Sequence, residues 1–173
     1  MYYAIPIFVV IVAAILLYEF VFKKKLQLSN WKVDEKVVPY YDKLFSIMKP
    51  YISNEFAQSM LLVFKKVLGD CMGYYNGIIA GTVHNNEDSF YKRILDSNTD
   101  NDVIEYICLM HILWFINNRR SGSFLSANEE ERIAIDALYK SSKERLQKYV
   151  ELIPDCIWDY YRLKKNDFVQ FTK

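Results

Sequence analysis

The sequence predicts an all-α protein in which a single amino-terminal transmembrane helix precedes a compact bundle of five to six helices. Three observations carry this. Residues 1–18, MYYAIPIFVVIVAAILLY, contain no charged side chain. From Pro39 onward, apolar residues recur at helical spacing in one segment after another. No alternating strand pair and no Asn-Gly hairpin interrupts them, because Asn76-Gly77 falls inside a helical pattern.

The leading segment reads as an anchor over residues 1–22. Tyr2 to Phe22 is 21 residues, or about 31 Å of helix, against a hydrocarbon core of about 30 Å. Tyr2, Tyr3 and Tyr18 lie near its ends, where amphipathic rings prefer the interface. Glu19 falls in the last turn, where a carboxylate costs far less than at the bilayer centre. A cleaved signal peptide is the competing reading. It requires basic residues before the apolar run and a small-x-small site after it, and the sequence has neither. The basic residues follow instead, as Lys23, Lys24 and Lys25. They orient a single-pass signal-anchor in the inner membrane, with the carboxyl-terminal domain cytoplasmic. Residues 23–38 then form a basic juxtamembrane connector, with Trp31 at the interface.

Residues 39–173 read as one helical domain, without repeats or low-complexity tracts. Tyr41, Leu44, Phe45 and Met48 give the first helix its stripe, between Pro39 and Pro50. Ser53 suits the cap of a second helix, with Glu55 in its first turn and Phe56, Met60, Val63, Phe64 and Val67 facing inward. A short third helix is expected over Asp88–Leu95. A fourth, from about Asp102 to Asn117, is apolar on nearly every side apart from Glu105 and His111, which marks a central helix. Ser126 and Glu129 match a capping box for the fifth helix. Its stripe runs through Ile135, Leu138, Leu146, Tyr149, Val150 and Ile153. Pro154 stops it and opens a sixth, with Ile157, Trp158, Tyr161 and Leu163 as core residues.

Composition excludes several function classes. The chain has 173 residues, with 22 Lys+Arg against 21 Asp+Glu, so no nucleic-acid partner is expected. Apolar residues make up 52%, with five Gly and four Pro, which excludes a disordered or collagen-like chain. Three scattered Cys exclude a dense disulfide framework and offer no zinc-ligand spacing. Asp96, Asn98, Asp100 and Asp102 resemble half of a calcium loop. Asn101 replaces its glycine and Ile107 its bidentate Glu, so a turn capping the next helix is the expected reading. No metal or cofactor is therefore expected.

Two features invite a contact role. Gly69, Gly73, Gly77 and Gly81 recur every fourth residue and would form one bare ridge on a helix. The ridge suits close packing, either within the chain or between copies in a homo-oligomer. The cluster Trp158, Tyr160, Tyr161, Phe168 and Phe171 is denser in aromatics than a closing helix needs. Trp158, Tyr160, Arg162 and Phe168 suit a partner surface, against the alternative of an ordinary docked tail. His111 reads as a core histidine. His84, Asp88, Arg119 and Arg120 are candidates for a membrane-surface enzyme acting on a lipid or phosphorylated substrate, provided they converge. No catalytic residue is assigned. The expected function is a membrane-anchored, non-enzymatic interaction protein, such as a toxin-neutralising immunity protein or an accessory subunit of a membrane complex. The alternatives are that enzyme and a self-associating scaffold built on the glycine ridge.

Overall fold

The computed structural model describes residues 37–52, 55–119 and 128–169. Among them are six α-helices and no strand: α1 (Val38–Met48), α2 (Glu55–Ile79), α3 (Phe90–Asp96), α4 (Asn101–Arg119), α5 (Glu129–Leu146) and α6 (Asp155–Tyr161). Two 3₁₀ turns, Gln147–Tyr149 and Lys165–Asp167, follow α5 and α6. The expected anchor over 1–22, its Lys23, Lys24 and Lys25, and nearly all of the 23–38 connector lie outside the described residues. No helix among the described residues is long and apolar enough to cross a membrane.

The bundle is organised around α4. Every residue from Tyr106 to Leu113 is buried, on all sides of the helix. Such a helix has no polar face and must be enclosed. It packs against α1, α2, α5 and α6, while α3 bridges α2 and α6. Leu109 is fully buried here, and truncating a side chain of this kind to Ala costs about 2–5 kcal/mol.

Each surrounding helix presents one stripe to that core. In α1 the stripe is Tyr40, Leu44, Ile47 and Met48. Phe45 is 48% exposed and Tyr41 half-buried, so the inward face is rotated from the one the spacing alone suggested. In α2, Ala57, Met60, Leu61, Phe64, Val67, Leu68 and Cys71 face inward. Beyond Cys71 no residue of α2 is buried.

One polar residue of α4 holds three helices. Glu105, its side chain only 13% exposed, meets Lys43 of α1 at 2.9 Å and Arg145 of α5 at 2.8 Å, with Lys148 at 3.6 Å. Burial alone would raise its carboxyl pKa. Hydrogen bonds from Arg145 and Lys43 outweigh that and bring it down to about 2.

The helix ends follow local chemistry. Asp100 Oδ1 accepts from the N–H groups of Asp102 and Val103, so this carboxylate caps α4. At α5 the expected box is displaced by two residues. Asn128, not Ser126, is the N-cap: its side chain accepts from Glu131 N–H, and Glu131 accepts from Asn128 N–H. Nor does α5 reach Ile153. It ends at Leu146, passes into the 3₁₀ turn, and Leu152 and Ile153 both donate to Tyr149 O. Pro154 disfavours helical backbone at the residue before it and clashes with the carbonyl of residue 150, so no α-helix runs on through Ile153. Pro154 itself is the extended N-cap of α6.

Two helices end on the same device. After α2, Gly81 N–H bonds to Ile78 O and Thr82 N–H to Gly77 O, with Gly81 left-handed at φ +70°. After α6, Arg162 N–H bonds to Asp159 O and Leu163 N–H to Trp158 O, with Arg162 left-handed at φ 52°. Both are Schellman closures, a motif that usually places glycine at the left-handed position. Arginine there carries a backbone cost of about 1–2 kcal/mol that glycine avoids.

Candidate functional site

The carboxyl-terminal ends of α4 and α6 enclose a surface pocket of about 460 Å³ with the middle of α2. Val67 of α2, Trp114 of α4 and Leu163 form its apolar wall. Asn117 and Asn118, in the last turn of α4, contribute amides. Tyr160, Tyr161 and Arg162 complete it from α6 and its cap. Asn118 Nδ2 donates to Trp114 O at 2.8 Å, which fixes that amide and leaves its oxygen uncommitted among the described residues.

The aromatic residues of this end have separate tasks. Tyr160 is half-buried and stacks on Phe90 at 3.6 Å with a 3° interplanar angle. Burial raises its phenol pKa above the ordinary value, as does its neighbour Tyr91. Tyr161 is buried, its ring lying edge-on to Phe90 and Tyr160. Arg162 is exposed, and no ion pair joins it to any described residue. No acidic side chain lines the pocket.

The four residues expected to share a partner surface are divided. Tyr160 and Arg162 sit at the pocket. Trp158 and Phe168 are each 4% exposed and pack together at 5.6 Å, with Lys143 over the Phe168 ring. Those two therefore belong to the core. The second 3₁₀ turn brings the tail back over α6, as the docked-tail alternative has it for Trp158 and Phe168. Trp114, Asn117 and Asn118 were not singled out from the sequence. The only signal was an Asn pair closing an otherwise apolar helix.

The glycines do not make one continuous helical ridge. Gly69, Gly73 and Gly77 lie in α2, while Gly81 lies past its end. A Cβ at Gly73 would meet nothing within 4 Å. A Cβ at Gly77 would come within 2.6 Å of Val83 Cγ2, because the chain folds back across the helix after its cap. Gly77 thus makes room for the return of its own chain.

The titratable candidates are scattered or sealed. His84 lies in the exposed connection between α2 and α3, and Asp88 is exposed beside Ser89, the cap of α3. Arg119 sits 5.4 Å over the Phe115 ring, and Arg120 lies outside the described residues. No hydrogen bond or ion pair among the described residues joins His84, Asp88 and Arg119. His111 is fully buried, with Nε2 3.4 Å from Met60 O and the ring 4.5 Å from that of Phe64. Burial takes its pKa down to about 3, so the imidazole is neutral at ordinary pH. Burial pushes the Cys71 and Cys108 thiols well up, and Cys108 donates to Tyr40 O at 3.2 Å. Neither is a thiolate nucleophile in this state. Among the described residues no group of His, Cys, Asp and Glu is placed to hold a metal ion.

The arrangement at the pocket can recognise a ligand: it offers flat apolar surface, amides and one guanidinium. Comparison with known proteins adds one partial likeness. Residues 121–173, under a third of the chain, match the family model described as "Resuscitation-promoting factor Rpf1, C-terminal". That segment includes α5, α6 and the Arg162 cap, and it excludes the α2 and α4 walls. No curated protein and no solved structure matches the chain.

Proposed function

We propose that this chain is a non-enzymatic interaction protein, held at a membrane by residues 1–22, whose helical domain binds a protein partner on the cytoplasmic side. The observation that carries the reading is the character of the accessible pocket. It is lined by groups that recognise (Trp114, Asn117, Asn118, Tyr160 and Arg162) and not by a paired acid and base or an activated nucleophile. His111, Cys71 and Cys108, the imidazole and thiols whose acidity burial shifts, are enclosed and do not line it. Immunity proteins and accessory subunits of membrane complexes share this architecture, by analogy only.

The test is copurification. Tagged full-length chain, extracted in mild detergent and passed through two affinity steps, should retain a protein at fixed stoichiometry. Recovery as a lone monomer, or release into the soluble fraction without detergent, overturns the proposal. A carboxyl-terminal reporter that works on one side of the bilayer tests the orientation.

A second reading, self-association through α2, has one observation in its favour: Gly73 is exposed, with open space where a side chain would sit. Gly73→Leu should then abolish oligomers in light scattering while leaving the helical circular dichroism unchanged. Unaltered oligomer size sinks it.

A further inference from the structure

We infer that the pocket between the ends of α4 and α6 binds the free carboxyl terminus of a partner polypeptide whose last side chain is large and apolar. The inference rests on the protein-binding reading above and names the surface and the chemistry of its partner.

The two Schellman closures share the same pair of closing hydrogen bonds but place different residues at the left-handed position, Gly81 in one and Arg162 in the other. Glycine would close α6 without the backbone cost, so the closure itself does not call for arginine at that position. Strained backbone of this kind gathers where a side chain is needed in a particular place. Here that side chain lines the pocket, is exposed, and has no ion-pair partner among the described residues. A planar guanidinium fork matches a carboxylate through two parallel hydrogen bonds. No other charged residue lines the pocket. One guanidinium suits a single terminal carboxylate better than a phosphate, which is usually gripped by several donors at once.

The remaining lining fits the residues behind that carboxylate. A peptide unit presents one N–H and one C=O, and an Asn amide answers both. Asn117 is exposed, with no side-chain hydrogen bond to another described residue, and Asn118 keeps its side-chain oxygen uncommitted. Val67, Trp114 and Leu163 form the apolar floor for the final side chain. The volume of about 460 Å³ lies within the range of sites that enclose small ligands. That is room for a terminal residue or two and not for a whole helix.

The probe is a display library of eight-residue peptides with free carboxyl ends and the last four positions randomised, screened against full-length chain in detergent. Enrichment of Phe, Leu, Trp or Met at the last position is expected. The selected peptide, dye-labelled at its amino end, should bind at least about tenfold more tightly than its carboxamide in fluorescence polarisation, a loss of about 1.4 kcal/mol. Arg162→Gly should weaken binding by a similar factor while melting at or above the wild-type temperature, because it relieves the left-handed backbone. Arg162→Gln gives the same loss of binding without altering backbone freedom, and Asn117→Ala should weaken binding several-fold. No enrichment, equal binding of acid and amide, or undiminished binding by both Arg162 variants overturns the inference. If the copurifying partner is retained equally by wild type and Arg162→Gly, the inference fails and the protein-binding reading stands. If neither chain retains a partner, that broader reading fails.

Discussion

Replacing Glu105 with glutamine tests the electrostatic hub that joins α1, α4 and α5. The carboxyl pKa falls from 4.5 to about 2 on folding. At about 1.4 kcal/mol per tenfold, that difference is worth on the order of 3 kcal/mol near neutral pH. The three cations are 31–58% exposed, so solvent screens part of this, and about 2 kcal/mol is expected. The neutral amide would keep the shape but leave Lys43, Arg145 and Lys148 facing one another. The sign follows from where the proton binds. As pH falls below 4.5 the unfolded chain takes it up first, so the contribution is complete above 4.5 and is lost progressively towards about 2. Thermal unfolding followed by circular dichroism should show E105Q melting about 4–8 °C below wild type at pH 7. The gap should shrink to a fraction of that near the folded-state pKa of about 2. It should also narrow in 1 M salt, where the Debye length is about 3 Å. A variant melting within about 1 °C of wild type at pH 7, or a gap that does not change with pH, refutes the reasoning.

Three further outcomes follow from the same structure. Gly73→Ala should stabilise the domain by about 0.5–1 kcal/mol in urea unfolding, because it fills open space on a helix. Gly77→Ala and Gly81→Ala should instead cost about 1–2 kcal/mol each, through contact with Val83 and through the left-handed backbone. Equal effects at all three positions would sink the account of the α2 terminus. His111, at about 3, should show no imidazole titration by NMR between pH 5 and 8. Below pH 6.5 the unfolded chain binds that proton and the folded one does not, so the neutral ring destabilises the fold by about 1.4 kcal/mol per pH unit. A titration near pH 6.5 would mean the ring reaches water. Asn128→Ala should cost about 1 kcal/mol, while Ser126→Ala should leave the melting temperature unchanged. The reverse order would restore the cap to Ser126.

The helices were readable because burial imposes a helical period on apolar residues, and α4 stood out because it lacked a polar side. Asp100 and Pro154 were readable as boundary residues for reasons intrinsic to their own chemistry. Other features were ambiguous in physical terms. Both Ser126-x-x-Glu129 and Asn128-x-x-Glu131 satisfy the capping-box pattern, so the pattern alone does not select between them. Phe45 lost its inward place to Tyr40 and Ile47 because two adjacent helical faces were nearly equal in apolar content. The Glu105 hub joins positions 43, 105, 145 and 148, and nothing local in the sequence connects them. The pocket was half visible: Tyr160 and Arg162 were singled out, but the left-handed turn at Arg162 has no sequence signature when glycine is not used. Trp158 was readable as a core residue of α6 from its spacing and also as a partner-surface aromatic, and the contact with Phe168 that decides between the two joins positions ten residues apart beyond the helix end.

The connection between α2 and α3 gives the domain a natural seam. Ile79 through Asp88 are exposed, and the Tyr74 hydroxyl latches the strip by accepting from Asn86 N–H at 2.9 Å. Opening the chain there would sever no buried segment. It would yield one piece carrying α1 and α2 and another carrying α3 to α6, each with half of a shared apolar interface. The domain should therefore lend itself to a complementation sensor, in which two separately expressed portions regain their fold only when they meet.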